Sequence, residues 1–193
     1  EARLAGDLLD DLIQARAASD PMLMQRAARL NIDLRQPYRI LVLDIDQFAQ
    51  AVRRHHWTDM DALSLKRRFL GIVTDIVRND IKGALTGTRS DSVLVLLPAP
   101  ENASLRQAEM QAQALQSALI GTLADLTVSV GIGRAAQEPG LLPRSYEDAM
   151  LALKTVSQFG GQARVVAFET LGVVPLLLQS QNQKELMAFM EQY

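Results

Sequence analysis

Three aspartates stand where a chain could hold a metal ion. Asp44 and Asp46 lie two apart at the end of the apolar run Ile40-Leu41-Val42-Leu43, and Asp91 sits in a short polar break, Ser90-Asp91, between two apolar stretches. Carboxylates at a strand end, facing another across a hairpin, are the ligands that hard divalent cations take, and such a cation polarises phosphoryl oxygens. The same residues have a plainer reading as a solvated strand end, with Asp46 capping the helix that follows. His55 and His56 adjoin the single tryptophan, Trp57, and no third His or Cys stands at metal-ligand spacing. They read as ligand contacts or as part of a surface loop. Arg53, Arg54, Lys66, Arg67 and Arg68 form a basic region that either attracts an anionic effector, through the bidentate grip of Arg on carboxylates, or is a solvated helix face. No aromatic residues interleave with it to stack on bases. Gly131-Ile132-Gly133 is not a dinucleotide fingerprint, because Ala136 occupies the place of the third glycine. These glycines read as a strand end and turn. Nothing resembles a nucleophile elbow, so hydrolase chemistry has no support.

The elements that position these residues belong to one domain with helical appendages, since 193 residues bury roughly 70% of their unfolded surface. Twenty Lys and Arg against 22 Asp and Glu leave a net charge of −2, too little to draw the chain to nucleic acid or an anionic membrane. With no cysteine the chain has no disulfide, thiolate zinc site or thiol nucleophile, which fits a reducing, cytoplasmic setting. The apolar runs Val93 to Leu97 and Val173 to Leu178 are about a third of the ~20 residues that a membrane span needs. Asp7, Asp10 and Asp11 stand where a secretory signal would be basic and then apolar. A chain opening on Glu1 rather than Met reads as a piece of a longer protein.

Leu4, Leu8 and Leu12, with Leu9 and Ile13 beside them, predict a first helix whose apolar face either forms a dimer seam or packs on its own domain. Ser19-Asp20-Pro21 predicts the start of a second helix with Met22, Leu23, Ala27 and Leu30 buried, followed by a linker over 31–37. Ile40 to Leu43 reads as a buried strand, and Phe69, Ile72, Val73, Ile76 and Val77 as an amphipathic helix. Gly83 to Arg89 and Ser92 to Leu97 form a hairpin about Ser90-Asp91. Leu105, Ala108, Ala112, Leu115 and Leu119 make a helix stripe, and Val128, Val130 and Ile132 a strand. Ser145 is expected to cap a helix in capping-box fashion with Asp148, and Arg164 to Phe168 is the last strand. The order β-α-β-β-α-β-α-β predicts an α/β (α+β) palm, or ferredoxin-like fold, with helices on one face of an antiparallel-rich sheet. The expected partition is a helical segment over 1–36, the palm over 37–169, and a connector over 170–193 ending in a helix.

Leu43-Asp44-Ile45-Asp46-Gln47-Phe48, the hairpin strand Asp91 to Pro98, Thr127 to Ile132 and the final helix with Gly160-Gly161 together resemble the GGDEF-type fold of diguanylate cyclases. Ala27 to Leu34, Val130 to Arg134, Ser145 to Ala149 and Phe168 to Val173 are similar to the GGDEF-like middle domain of bacterial transcriptional regulators of the purine-catabolism (PucR) and sugar-diacid (CdaR) family. In that family a helix-turn-helix domain follows, and this sequence stops where it would begin. The resemblance therefore implies a parent protein that binds DNA through a C-terminal domain, forms a homodimer, and responds to a small anionic or purine effector, without a membrane or a cofactor. The Gly-Gly-Asp-Glu-Phe positions of the active enzymes fall on Arg89, Ser90, Asp91, Ser92 and Val93, so both glycines and the glutamate are replaced. Asp44 and Asp91 match metal-ligand positions, and Asp61 matches a guanine contact. The family's lysine and guanine-reading asparagine fall on Ala49 and Val52, and no Arg-x-x-Asp inhibitory motif precedes the hairpin. The resemblance implies a non-catalytic regulatory domain with Asp44, Asp46, Asp61, Arg89 and Asp91 as candidate ligand-binding residues, no catalytic residue and no metal. The alternatives are a divergent nucleotide cyclase using Asp44 and Asp91 as metal ligands, and a spacer without a ligand.

Overall fold

In a computed structural model, which describes residues 2–14, 21–100, 103–123 and 125–173, the chain runs α1 (Ala2–Ile13), α2 (Pro21–Arg29), β1 (Tyr38–Ile45), α3 (Phe48–Arg54), α4 (Asp59–Asp80), β2 (Leu85–Arg89), β3 (Ser92–Pro98), α5 (Leu105–Leu119), β4 (Val128–Ile132), α6 (Leu142–Gln158) and β5 (Val165–Ala167). Short 3₁₀ turns precede α6 (Pro139–Leu141) and follow β5 (Phe168–Leu171). β1 is the centre of the sheet, because its apolar residues leave no polar face for solvent. It pairs antiparallel with β3 on one side and β4 on the other. β2 forms the hairpin with β3, β5 joins β4 in parallel, and the order is β2-β3-β1-β4-β5.

The expectation of helices on one face alone is corrected. Alternation along β1 sends Ile40 and Val42 to one side and Leu41, Leu43 and Ile45 to the other, and each side has its own core. Leu8, Leu9 and Leu12 of α1, Leu23 and Ala27 of α2, and Leu142, Ala149 and Leu153 of α6 cover the first side. Phe69, Val73 and Val77 of α4 and Ala112, Leu115 and Leu119 of α5 cover the second. The reason lies in the uninterrupted runs of β1 and β3, where every residue needs an apolar neighbour, at ~1.5–3 kcal/mol for each large side chain buried. The apolar stripe of α1 thus packs on its own domain, with Leu8 and Leu12 fully buried and Leu4 56% exposed. Met22, expected inside, is exposed, whereas Ile32 and Leu34 of the supposed linker are buried in this core.

Ser145 does not cap α6. The helix begins earlier, at Leu142-Pro143, where proline suits the first turn. The Ser145 hydroxyl instead accepts the backbone N–H of Ile40 at 2.9 Å, a donor left over where β4 has ended. Gly131 and Gly133 explain how α6 comes so close to the sheet. A Cβ on Gly133 would lie 1.9 Å from the Ser145 carbonyl oxygen, and one on Gly131 would lie 2.2 Å from that of Ala149. The two glycines are therefore a docking seat for α6 as well as a strand and its end. The expected Ser19-Asp20 cap, and the strand or turn and helix expected after Val173, lie outside the described residues.

Candidate functional site

Asp44 and Asp46 leave β1 on the side covered by α6, yet their surroundings differ. Asp46 accepts hydrogen bonds from the Thr127 hydroxyl (2.6 Å), the Ser129 hydroxyl (2.7 Å) and the Ala163 backbone N–H (2.9 Å). It ties the end of β1 to β4 and to the loop before β5. The helix-cap reading of Asp46 is corrected, since Gln47 stands at the N-cap of α3 with φ 52° and makes no side-chain cap bond. Asp44 is half-buried and accepts from the Ser92 hydroxyl at 3.2 Å. Burial pushes its carboxyl above the usual aspartate value. The Ser92 bond opposes that rise, and the nearby charges of Asp46 and Asp91 add to it.

At the hairpin tip, Ser90 adopts φ 54°, in the left-handed region that glycine enters without cost. Asp91 forms an ion pair with Lys66 of α4, whose ammonium also sits 4.9 Å from the centre of the Phe48 ring. Arg89 lies over the Tyr146 ring of α6 at 5.2 Å, and among the described residues its buried Nη1 has no hydrogen-bond partner. Asp61 is spent elsewhere. Its carboxylate accepts from the Thr58 N–H (2.9 Å) and hydroxyl (2.7 Å) while its own N–H donates to the Thr58 hydroxyl, a capping box that opens α4. The Thr58 hydrogen bonds hold the Asp61 carboxyl below the usual range.

The fold thus gathers Asp44, Asp46 and Asp91 at one corner, sets Arg89 beside α6, and leaves Asp61 in a cap. The corner is a poor cation cradle: Lys66 already neutralises Asp91, Asp46 is saturated by donors, and among the described residues no three His, Asp or Glu side chains come together to hold a metal. What it offers a ligand is a protonatable carboxyl, a serine hydroxyl, a lysine and an arginine with an open donor. The histidines lie apart, His55 pairing with Asp125 at 3.1 Å and stacking on Trp57.

A second polar cluster escaped the sequence reading. Arg39, 5% exposed, donates at 3.3 Å to the Gly133 carbonyl and at 3.3 Å to Glu169. Arg134 grips Asp148 through two hydrogen bonds (2.7 and 3.1 Å) and lies 4.6 Å over Phe168. Together they clamp the turn Phe168–Leu171 to the sheet and to α6. The one signal in the sequence is a charged residue, Arg39, directly before the apolar run Ile40 to Leu43.

Residues 14–155 match the family model described as a GGDEF-like domain. The Carbohydrate diacid regulator of Escherichia coli (strain K12) is 25% identical over 182 residues, which are 93% of this chain and 44% of that protein, so the chain spans under half the length of that relative. Two solved structures share the fold. The active GGEEF domain of a diguanylate cyclase from Vibrio cholerae aligns with a TM-score of 0.55 at 15% identity, over 84% of this chain and 94% of that one. Diguanylate cyclase SiaD, solved with its activator SiaC from Pseudomonas aeruginosa, aligns with a TM-score of 0.53 at 21% identity, over 83% and 66%.

Proposed function

The chain belongs to the family of GGDEF-like domains, and from that premise we propose that it is a non-catalytic regulatory domain of a bacterial transcriptional regulator. The similarity to the Carbohydrate diacid regulator supports a regulatory role. In the proposed protein this domain holds a homodimer, senses a small anionic or purine effector, or does both, in the cytoplasm, and biases a DNA-binding domain that follows Tyr193. An effector does this only by binding one arrangement better than the other. Its contacts are Asp44, Arg89 and Asp91, while Asp46 and Asp61 serve the fold.

The observation that carries the non-catalytic reading is the hairpin. A cyclase needs two carboxylate-held metals against the phosphates and a turn open enough for backbone to approach them. Here the turn is Ser90-Asp91 between Arg89 and Ser92, Lys66 occupies Asp91, and Ser92 occupies Asp44. The test is incubation of the chain with GTP and Mg²⁺ or Mn²⁺, followed by chromatography of the nucleotides. Unchanged GTP is the expected result; a cyclic mono- or dinucleotide overturns the reading in favour of a divergent cyclase. Light scattering on the same sample checks the dimer, and a monomer at high concentration removes that part.

A further inference from the structure

β2 ends the sheet, and its ladder with β3 closes at Arg89 opposite Ser92 across a two-residue turn. Residues of an antiparallel pair alternate between bonded and non-bonded positions. Leu85, Gly87 and Arg89 therefore give their backbone groups to β3, and the N–H and C=O of Thr86 and Thr88 point away from the sheet. Among the described residues no hydrogen bond reaches these four groups. Edges of this kind are usually blunted by lysine, proline or a bulge. Leu85-Thr86-Gly87-Thr88-Arg89 has none of these and pairs without a break.

This unpaired edge, buried at Leu85, Thr86 and Gly87 and exposed at Thr88, floors a cleft of about 570 Å³, within the range of built binding sites. One wall is α1, another is α4, and the end of α2 closes a third side. Arg3, Arg29 and Arg78 line it and make no ion pair among the described residues, against Asp7 and Asp10. The described lining is thus net positive by one charge. We propose that this cleft accepts an extended, acidic segment of a partner protein, which adds a sixth strand to the sheet along Thr86 and Thr88. A second copy of β2 does not fit, because both edges would lie between their own helix walls and could not close to the ~4.8 Å spacing of paired strands. The surface uses neither Asp44 nor Asp91, so it stands or falls separately from the hairpin reading.

The test uses the whole 193-residue chain and two capped hexapeptides, one alternating glutamate with valine and one alternating lysine with valine. Amide hydrogen exchange is followed by NMR at Thr86 and Thr88. The glutamate peptide at about ten times its Kd slows both amides roughly tenfold, because exchange then proceeds through the free fraction. The lysine peptide leaves them unchanged. Thr88→Pro removes one outward N–H while sparing the ladder to β3, so it abolishes protection of Thr86 with the melting temperature nearly unmoved. Arg78→Gln, an exposed change on the rim, weakens the glutamate peptide by roughly 2- to 5-fold. Absence of protection with the glutamate peptide, equal protection by the lysine peptide, or protection that rises with protein concentration alone each overturns the proposal, the last in favour of a second copy.

Discussion

The two halves of the sheet on either side of β1 are built to different standards. In the β4–β5 half most polar groups are answered: Asp46 has three donors, Arg39 meets Glu169, Arg134 meets Asp148, and α6 is seated directly on Gly131 and Gly133, although Gln158 of α6 keeps a buried oxygen with no partner among the described residues. In the β2–β3 half, Asp44 accepts from the Ser92 hydroxyl at 3.2 Å, Arg89 keeps a buried nitrogen with no partner among the described residues, and the outward backbone groups of Thr86 and Thr88 are unpaired among them. Unanswered polar groups cost free energy and persist where something other than the fold uses them. The first half thus reads as scaffold, and the second is the half that carries the proposed ligand contacts Arg89 and Asp91.

The comparison breaks most readily at the glycines. Gly133→Ala puts a methyl 1.9 Å from a backbone oxygen of α6, and no side-chain movement relieves that clash. A loss of about 3 kcal/mol or more is expected, read as a melting temperature lower by roughly 6–12 °C. Gly87→Ala on β2 meets the end of the Leu9 side chain at 2.8 Å and the Gly6 backbone of α1 at 3.2 Å, both milder than the contact at Gly133, so it costs about 1–2 kcal/mol. Equal losses at the two positions would remove the distinction between the halves.

Next in size is Asp46→Ala, which strands the Thr127 and Ser129 hydroxyls and the Ala163 N–H. Denaturant unfolding should show a loss of about 2 kcal/mol with an unchanged slope. A change under about 0.5 kcal/mol would mean that the knot at the end of β1 is ornamental.

Much of the fold was legible in the sequence because the apolar runs are long and the turns are marked. Ile40 to Leu43 and the hairpin about Ser90-Asp91 stand as expected, and so does the order of strands, with α3 an additional short helix before α4. The same runs held the signal for helices on both faces, since an unalternated strand has no face for water. What composition and spacing cannot convey is which partner answers a polar group. Ser145 looks like a helix cap, because a hydroxyl at a helix start and one bonded to a neighbouring strand are the same residue type. Asp46 looks like a cap or a ligand, because its donors lie 81, 83 and 117 residues away. The apolar stripe of α1 was plain, but only the packing decides between a second molecule and its own sheet. At the candidate site, the meeting of Asp44 with Ser92 follows from the pairing of β1 with β3, whereas the capture of Asp91 by Lys66 depends on how α4 crosses the sheet.

The smallest expected effect sharpens the comparison most, because its sign differs from that of Asp46. Burial raises the Asp44 carboxyl above its unfolded-state value, so the folded chain holds that proton more tightly than the unfolded chain does. The stability this group confers is complete below the unfolded pKa, near pH 4, and is lost as the pH rises through the folded one. Asparagine keeps the shape and never ionises, so Asp44→Asn escapes the loss. At pH 7 the variant should be more stable than the parent by less than about 1 kcal/mol, and the gain should fade as the pH is lowered through about 4. Chemical unfolding at pH 7 and at pH 3.5 measures the difference. A gain that survives at low pH would trace to packing, not charge. A loss at pH 7 would place Asp44 with Asp46 among the residues that hold the scaffold, and the corner beside the hairpin would no longer differ from the β4–β5 half of the sheet.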